Sequence, residues 1–224
     1  MMKKIIKKIL RSLGYNLSKI DSIDSPDLDE VTKSLIKKKN PIIFDVGANK
    51  GQSIKRYKKI FKSPTIHSFE PDTNEVNILK EKYHNDKNLI LNNFGVGEKE
   101  DTLEFNVNID SSHSSFRELI PKTTWLKERS KQADIISENY TSKKVNTKII
   151  TLDDYVKKNN IESIDILKID TQGFEDKVLI GAQNLIKDNR IKLIQLELIF
   201  SEIYQSPLQI YDVEKTLIPK NYKL

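Results

Sequence analysis

Two glycines and two carboxylates near the start of the sequence have the types and spacing of a nucleoside-binding site. Gly47 and Gly51 follow an apolar run at 42–44, and glycine permits a tight turn and close backbone approach. Asp45 lies directly before this turn. Glu70 follows Gly51 by 19 residues, which is close to the spacing at which a carboxylate binds both hydroxyls of a ribose. Taken alone, each acid could be a helix cap or a solvated strand end, but their joint spacing predicts a cofactor that carries a nucleoside.

The glycine pattern separates the candidate cofactors. It is G-x-x-x-G, not the G-x-G-x-x-G that brings backbone amides onto a pyrophosphate, and the sequence contains no G-x-x-x-x-G-K-[ST] phosphate loop. An acid immediately before the glycines would repel a pyrophosphate. The same acid suits a cofactor with an ammonium group and a sulfonium centre. S-adenosylmethionine therefore fits this turn better than NAD or ATP.

A second group of candidate catalytic residues lies near position 170. Asp170 follows the apolar run 164–169, and Gly173 permits the turn into a following helix. A carboxylate at this place can accept a proton from an attacking hydroxyl, although capping the helix is the structural alternative. His113, in the serine-rich stretch 111–115, is the competing candidate base, because a neutral imidazole titrates closer to working pH.

Three further polar residues are predicted to contact the acceptor of the reaction. Ser115 ends the serine-rich stretch, and Gln172 follows the candidate base Asp170. Glu197 ends the apolar run 191–196 and is expected to face the same crevice, with pairing to a lysine as the structural alternative. The sequence contains no cysteine, so thiolate metal sites and a thiol nucleophile are excluded, and we predict no metal.

The elements that position these residues alternate between strand and helix. Apolar runs of strand length occur at 42–44, 65–69, 89–91, 164–169 and 191–196, and helical patterns at 54–61, 73–84, 174–187 and 208–217. This alternation predicts an α/β fold with a mainly parallel sheet and helices on both faces. Ligands of such sheets bind beyond the carboxyl ends of the strands, where the candidate residues fall. The stretch 102–108 alternates like an exposed strand, and the polar insertion 110–140 is expected to cover the site.

Several motifs, in their order and spacing, resemble the FkbM-type S-adenosylmethionine-dependent methyltransferases. They are F-D-V-G-A-N-x-G from 44, F-E-P from 69, T-L-D from 151, L-K-I-D-T-Q-G-x-E from 167 and V-L-x-G-A from 178. The resemblance extends over about residues 41–200. It implies a Rossmann-like methyltransferase fold and O-methylation, frequently of a sugar hydroxyl in a glycan or secondary metabolite. It also implies that the cofactor contacts Asp45, Gly47, Asn49, Gly51 and Glu70.

The sequence departs from this family in two places. Many relatives carry Glu where this chain has Gln172, which argues against a metal bridged between two carboxylates there. In the family a closing pair of strands usually follows a helix such as the one at 208–217, so we expect a chain that is truncated at its C-terminus. A nicotinamide-dependent oxidoreductase and a non-catalytic scaffold in a glycan-assembly complex stay open as alternatives to the methyltransferase.

Charge is concentrated in the first residues of the sequence. Residues 1–20 contain six basic residues and no acid, and the other 204 residues contain 32 of each. The body of the protein, residues 21–224, thus has no formal net charge, which argues against nucleic-acid binding. Residues 3–13 have the pattern of a basic amphipathic helix, which could pack on the domain or dock on an anionic membrane face. We predict that this helix and a linker form residues 1–30 and that a methyltransferase domain spans 31–224. We also predict a cytoplasmic protein with a small-molecule or glycan acceptor. If the helix docks on a membrane, the protein contacts the inner membrane face peripherally.

Overall fold

The computed structural model describes residues 27–205 and 208–223. The chain forms two units, Met1–Lys37 and Lys38–Leu224. In the first unit, helix α1 spans Leu28–Leu35 and begins at Asp27, whose side chain accepts a hydrogen bond from the amide of Asp29. The basic helix predicted at 3–13 lies outside the described residues.

The second unit alternates strands and helices, as the apolar runs predict. In chain order its elements are β1 Ile42–Val46, α2 Gln52–Ile60, β2 Thr65–Phe69, α3 Thr73–Lys82, β3 Leu89–Asn92, β4 Gly95–Val96, β5 Asp101–Asn108, α4 Thr124–Gln132, β6 Thr141–Ile150, α5 Leu152–Lys158, β7 Ile164–Ile169, α6 Glu175–Ile180, α7 Gln183–Lys187, β8 Ile191–Leu196 and α8 Ile210–Leu217. Among the described residues, no helix is long and apolar enough to cross a membrane.

Five strands form a parallel sheet in the order β3-β2-β1-β7-β8. Phe44 and Val46 of β1 belong to a core that also contains Val178 of α6. Tyr57 of α2 is fully buried, and its hydroxyl donates to the side chain of Gln195 on β8 at 2.6 Å. The predicted α/β fold with a mainly parallel, helix-flanked sheet is therefore confirmed. Because the strands are parallel, the residues after β1, β2, β7 and β8 emerge at one edge.

A second, three-stranded sheet has the order β4-β6-β5, and β5 runs antiparallel to β6. The predicted exposed strand at 102–108 is β5. The sequence patterns do not predict β6, because Thr141–Ile150 is polar for most of its length and only two of its residues are buried. Strand β6 is stabilised by its pairing with β5 rather than by burial of its side chains.

The single helix predicted at 174–187 is two short helices, α6 and α7, that meet at Gly181. A side chain at Gly181 would lie 2.0 Å from the carbonyl oxygen of Gly97, so the chain packs here without one. The carbonyl of Gly181 accepts a hydrogen bond from the amide of Asp153 at 3.0 Å, and these contacts interrupt the helix.

Candidate active site

A cavity of about 440 Å³ lies at the carboxyl edge of the parallel sheet. Its walls come from residues that follow four strands of that sheet and from the polar insertion. Lining residues include Gly47, Asn49, Glu70, Lys168, Asp170, Gln172, Glu197, Ser111, His113 and Trp125. This is the edge at which ligands of parallel α/β sheets bind, and the volume is within the range of cofactor sites.

Glu70 is a buried carboxylate held by backbone amides. The amide of Asn49 donates to Oε2 at 2.7 Å, and the amide of Asp72 donates to Oε1 at 2.8 Å. Burial raises the pKa of Glu70 to about 7, although both amides oppose the shift. Each oxygen keeps a second lone pair for a donor in the cavity. This geometry suits a vicinal diol.

The turn after β1 places Gly47 and Asn49 on the cavity wall. Gly47 has φ +87°, and a side chain there would lie 1.8 Å from the carbonyl oxygen of Asp170. Only glycine permits this backbone and this approach of β7. Asn49 also has positive φ, and its side-chain amide donates to Ser111 Oγ at 3.1 Å. Gly51 differs, since a side chain there would meet Leu79 at 2.7 Å, so this glycine allows α3 to pack closely rather than lining the cavity.

Asp45 lies beneath the cavity rather than on its wall. Its side chain is fully buried in β1, and burial raises its pKa although Lys168 opposes the shift. Lys168 lies opposite Asp45 in the register of β1 and β7, with Nζ 3.5 Å from Oδ1. The resemblance implies a cofactor contact for Asp45, and the structure places its carboxylate beside Lys168 and outside the cavity lining.

Asp170 and Glu197 form a carboxylate pair bridged by Gln172. The Gln172 amide donates to Asp170 Oδ1 at 2.9 Å and also to Glu197 Oε2. Burial would raise the pKa of Asp170, but Lys168, Glu197 and Gln172 together lower it below its usual value. Burial and the neighbouring Asp170 raise the pKa of Glu197 to about 8. At neutral pH the pair therefore holds one proton on Glu197 and a charge on Asp170.

The turn that carries Gln172 is fixed by two residues behind it. Ser115 is buried, and its hydroxyl donates to the carbonyl of Gln172 at 2.7 Å, so the predicted acceptor residue Ser115 supports the turn from outside the cavity lining. Glu175 accepts from the amides of Thr171 and Gly173 at 2.9 and 3.1 Å. The sequence offers one signal for Glu175, an acid in the first turn of a helix.

His113 and Trp125 form an aromatic wall supplied by the insertion. The His113 and Trp125 rings meet edge to face with centroids 4.9 Å apart. His113 Nδ1 lies 2.9 Å from the hydroxyl of Tyr140, and burial lowers the His113 pKa, which keeps the ring neutral. The insertion thus lines the predicted crevice, and it contributes Trp125, to which the sequence patterns gave no weight.

Lys168 is the other residue that sequence reasoning missed. It lies inside the apolar strand β7, two residues before Asp170, so the alternation of side chains along a strand places it on the same side as Asp170. This spacing is the signal that could have identified it. Among the described residues that line the cavity, Lys168 is the one lysine or arginine, against the carboxyl groups of Glu70, Asp170 and Glu197. No group of three or more histidine or acidic side chains in the described ranges could hold a metal ion.

The cavity thus places one buried carboxylate, Glu70, on a wall that also carries the carboxylate of Asp170. Residues 45–224 match the model of the methyltransferase FkbM domain, and the chain belongs to this family. The predicted family is therefore confirmed, and the match favours the methyltransferase over the oxidoreductase and scaffold alternatives.

Two individual proteins are similar to this chain. It is 22% identical over 177 residues to the 2-O-methyltransferase NoeI of Sinorhizobium fredii (strain NBRC 101917 / NGR234), covering 79% of this chain and 71% of the relative. The crystal structure of precorrin-6y C5,15-methyltransferase from Geobacter metallireducens GS-15 aligns with a TM-score of 0.43 and 10% identity. That alignment covers 92% of this chain and 76% of the other.

Proposed function

We propose that the protein is an S-adenosylmethionine-dependent O-methyltransferase that acts on a sugar hydroxyl. The observation that carries this proposal is Glu70, a buried carboxylate fixed by two backbone amides at the wall of a cavity that Asp170 also lines. Glu70, after β2, is our candidate for binding the ribose diol, and Asp170, after β7, is our candidate for accepting a proton. The two strands flank β1 in the sheet, so both residues lie at the same sheet edge.

The chemistry of the lining fits this cofactor. The lining contains three carboxyl groups and one lysine, so it offers no cluster of cations to a pyrophosphate. Glu70 would hold the ribose, with Asn49 and the Gly47 turn beside it. S-adenosylmethionine, when bound, supplies an electrophilic methyl group.

Asp170 is our candidate for the residue that takes the acceptor proton. An alcohol attacks efficiently only when its proton is shared with a base. The carboxylate of Asp170 is ionised, and its orientation is fixed by Lys168 at 3.2 Å and Gln172 at 2.9 Å. The neutral ring of His113 is the second candidate, on a different element of the same cavity.

A neutral sugar fits the remaining wall. Trp125 offers an aromatic surface for the apolar face of a sugar ring, while Gln172 and Glu197 offer hydrogen bonds to hydroxyls. The name of the NoeI relative, a 2-O-methyltransferase, specifies transfer to an oxygen. These observations support a hydroxyl acceptor in a carbohydrate.

The cofactor part of the proposal is tested by binding. Glu70→Ala is expected to weaken S-adenosylmethionine binding by about 1.5–3 kcal/mol, which is typical of hydrogen bonds to a charged group. Isothermal titration calorimetry with S-adenosylmethionine and with NADH measures the loss and the selectivity. The matched control is Glu118→Ala, which removes an exposed carboxylate paired with Lys144 and distant from the cavity lining. Unchanged affinity in a folded Glu70→Ala protein would remove Glu70 from the site.

A further inference from the structure

A largely buried ion pair between Lys168 of β7 and Asp45 of β1 lies beside Asp170. The side chain of Lys168 is 16% exposed, and its Nζ lies 3.2 Å from Asp170 Oδ2 and 3.5 Å from Asp45 Oδ1. Asp45 lies on β1 directly opposite Lys168, and its side chain is fully buried. The Lys168 ammonium group therefore pairs with two carboxylates, Asp45 inside the protein and Asp170 at the cavity.

The two carboxylates constrain Lys168 in different ways. The Asp45 carboxylate is part of a sheet strand and is out of contact with water, so it cannot leave the ammonium group and be hydrated instead. This fixes the end of a side chain that is flexible in water. The fixed ammonium group then gives the Asp170 carboxylate a defined partner on one oxygen, while Gln172 binds the other.

We propose that Lys168 is a positioning residue that aims the Asp170 carboxylate at the acceptor hydroxyl and keeps it ionised. This inference rests on the proposed function, in which Asp170 takes the acceptor proton. It assigns a purpose to the internal pair as well, since Asp45 acts through Lys168 rather than by touching the cofactor.

The charges around Lys168 determine the direction in which its removal shifts the pKa of Asp170. The charged groups that act on Asp170 and Lys168 are Asp45 from β1 and Glu197 at the end of β8. Both are acids, so neither replaces the cation. Glu197 lowers the pKa of Asp170 through a hydrogen bond, as Gln172 does, but without Lys168 the attraction that most opposes burial is lost, and the pKa of Asp170 is expected to rise.

The test separates the charge on Asp170 from the stability of the fold. Lys168→Met alone leaves Asp45 buried and unpaired, which destabilises the protein whatever the role of Lys168. The informative protein is therefore Asp45→Asn/Lys168→Met, in which neither charge of the internal pair remains. Carboxyl carbon NMR titration, assigned with Asp170→Asn, follows the Asp170 proton directly and requires neither cofactor nor acceptor.

The matched control lies at the other end of the same strand. Asp165 is also fully buried, and it pairs with Lys192 at 2.7 Å and Lys38 at 2.9 Å, away from the cavity lining. Lys192→Met removes a cation from the buried Asp165 of β7, just as Lys168→Met removes one from the buried Asp45 of β1. We expect this variant to lose stability while the titration of Asp170 and the turnover stay as in the wild type.

The inference predicts two results for Asp45→Asn/Lys168→Met. The Asp170 titration moves up by at least one pH unit. Turnover falls about 10-fold or more one pH unit below the midpoint of the shifted titration and recovers partly one unit above it, where Asp170 is again ionised, and Lys168→Arg retains more activity than the double variant. An unchanged Asp170 titration, or wild-type turnover in the double variant at both of these pH values, would overturn the inference. Failure of the wild type to bind S-adenosylmethionine would instead overturn the proposed function, and the NMR titration would still decide whether Lys168 keeps Asp170 ionised.

Discussion

Asp170 and His113 compete for the role of base, and their surroundings give them different pH behaviour. The carboxylate of Asp170 is held below its ordinary pKa by Lys168 and its hydrogen-bond partners against the effect of burial. The His113 pKa is lowered by burial, and its Nδ1 already faces the hydroxyl of Tyr140. Only one ring nitrogen of His113 is thus left for an acceptor, and Asp170, which accepts from Lys168, Gln172 and Glu197, also keeps one lone pair for it.

We expect Asp170→Asn to lower kcat by about 10²–10⁴-fold, the usual contribution of general-base catalysis. The affinity for S-adenosylmethionine should change little, because Asp170 takes part in the chemical step. Steady-state kinetics on Asp170→Asn and His113→Ala measure both quantities. If Asp170→Asn turns over normally and His113→Ala does not, the base is His113 and Asp170 only caps the turn.

The raised pKa of Glu70 makes cofactor binding dependent on pH. Burial raises this pKa to about 7, so part of the free protein carries a proton on Glu70 at neutral pH. Ribose hydroxyls donate to the carboxylate and so favour its ionised form. Binding must then release protons, and S-adenosylmethionine affinity is expected to rise as the pH increases from 6 to 8.

Calorimetry in buffers of different ionisation enthalpy counts the protons released on binding. Glu70→Gln removes the titrating group and should reduce that number near pH 7. Proton release that is the same in the wild type and in Glu70→Gln would show that another group titrates.

The candidate site is only partly predictable from its residues. Glycine, asparagine and a carboxylate at fixed spacing put Gly47, Asn49 and Glu70 on the cavity wall, because spacing after a strand determines where a turn residue emerges. Spacing does not determine how deeply a strand residue is buried. Asp45 is fully buried beneath the cavity, and Lys168, its partner in the register of β1 and β7, has the longer side chain and lines the cavity.

At the scale of elements, the turn between β7 and α6 depends on the buried acid Glu175 together with Ser115. Glu175 accepts from the amides of Thr171 and Gly173 and from the Thr171 hydroxyl. Gln172, between them, has φ +56°, a conformation that a free turn would seldom keep. The geometry of the carboxylate pair thus depends on a residue outside the cavity.

Glu175→Ala leaves two buried amides without acceptors, each at a cost of about 1–3 kcal/mol. We expect a loss of roughly 2–4 kcal/mol in the free energy of unfolding and a fall in kcat as the turn loosens. The control is Asp176→Ala on the same helix, which breaks a partly exposed pair with Arg117 and should cost at most about 1 kcal/mol. Chemical denaturation compares them, and equal losses would show that Glu175 does not hold the turn.

The central strands β1, β2 and β7 were predictable because they are almost entirely buried and mostly apolar, and the edge strands β3 and β8, which are only partly buried, also contain apolar runs. The second sheet was not, because β6 and the two-residue strand β4 are ordered by pairing with neighbours distant in sequence. The break between α6 and α7 also depends on such a contact, the close approach of Gly97 to Gly181. Local sequence patterns do not predict contacts with residues that are distant in the sequence.

At the scale of the whole molecule, charge separates the chain into a basic segment and a neutral body. Residues 1–20 carry all of the formal net charge of +6. This segment lies outside the described residues. Each basic residue near an anionic bilayer contributes about 1 kcal/mol of attraction, and the attraction is screened by salt. We therefore propose that this segment, and not the body, gives the protein affinity for anionic lipid.

Deleting residues 1–20 is expected to abolish sedimentation with phosphatidylserine-containing vesicles and to leave S-adenosylmethionine affinity unchanged, because the predicted cofactor residues all lie after residue 40. A second variant replaces Lys3, Lys4, Lys7 and Lys8 by glutamine, which keeps the length and the apolar residues and tests charge alone. Vesicles of phosphatidylcholine alone and a salt titration serve as controls. If the full chain and both variants sediment equally with the anionic vesicles, the basic segment is not a membrane contact. In that case its six positive charges serve packing or solubility, the interpretation that the sequence pattern leaves open beside membrane docking.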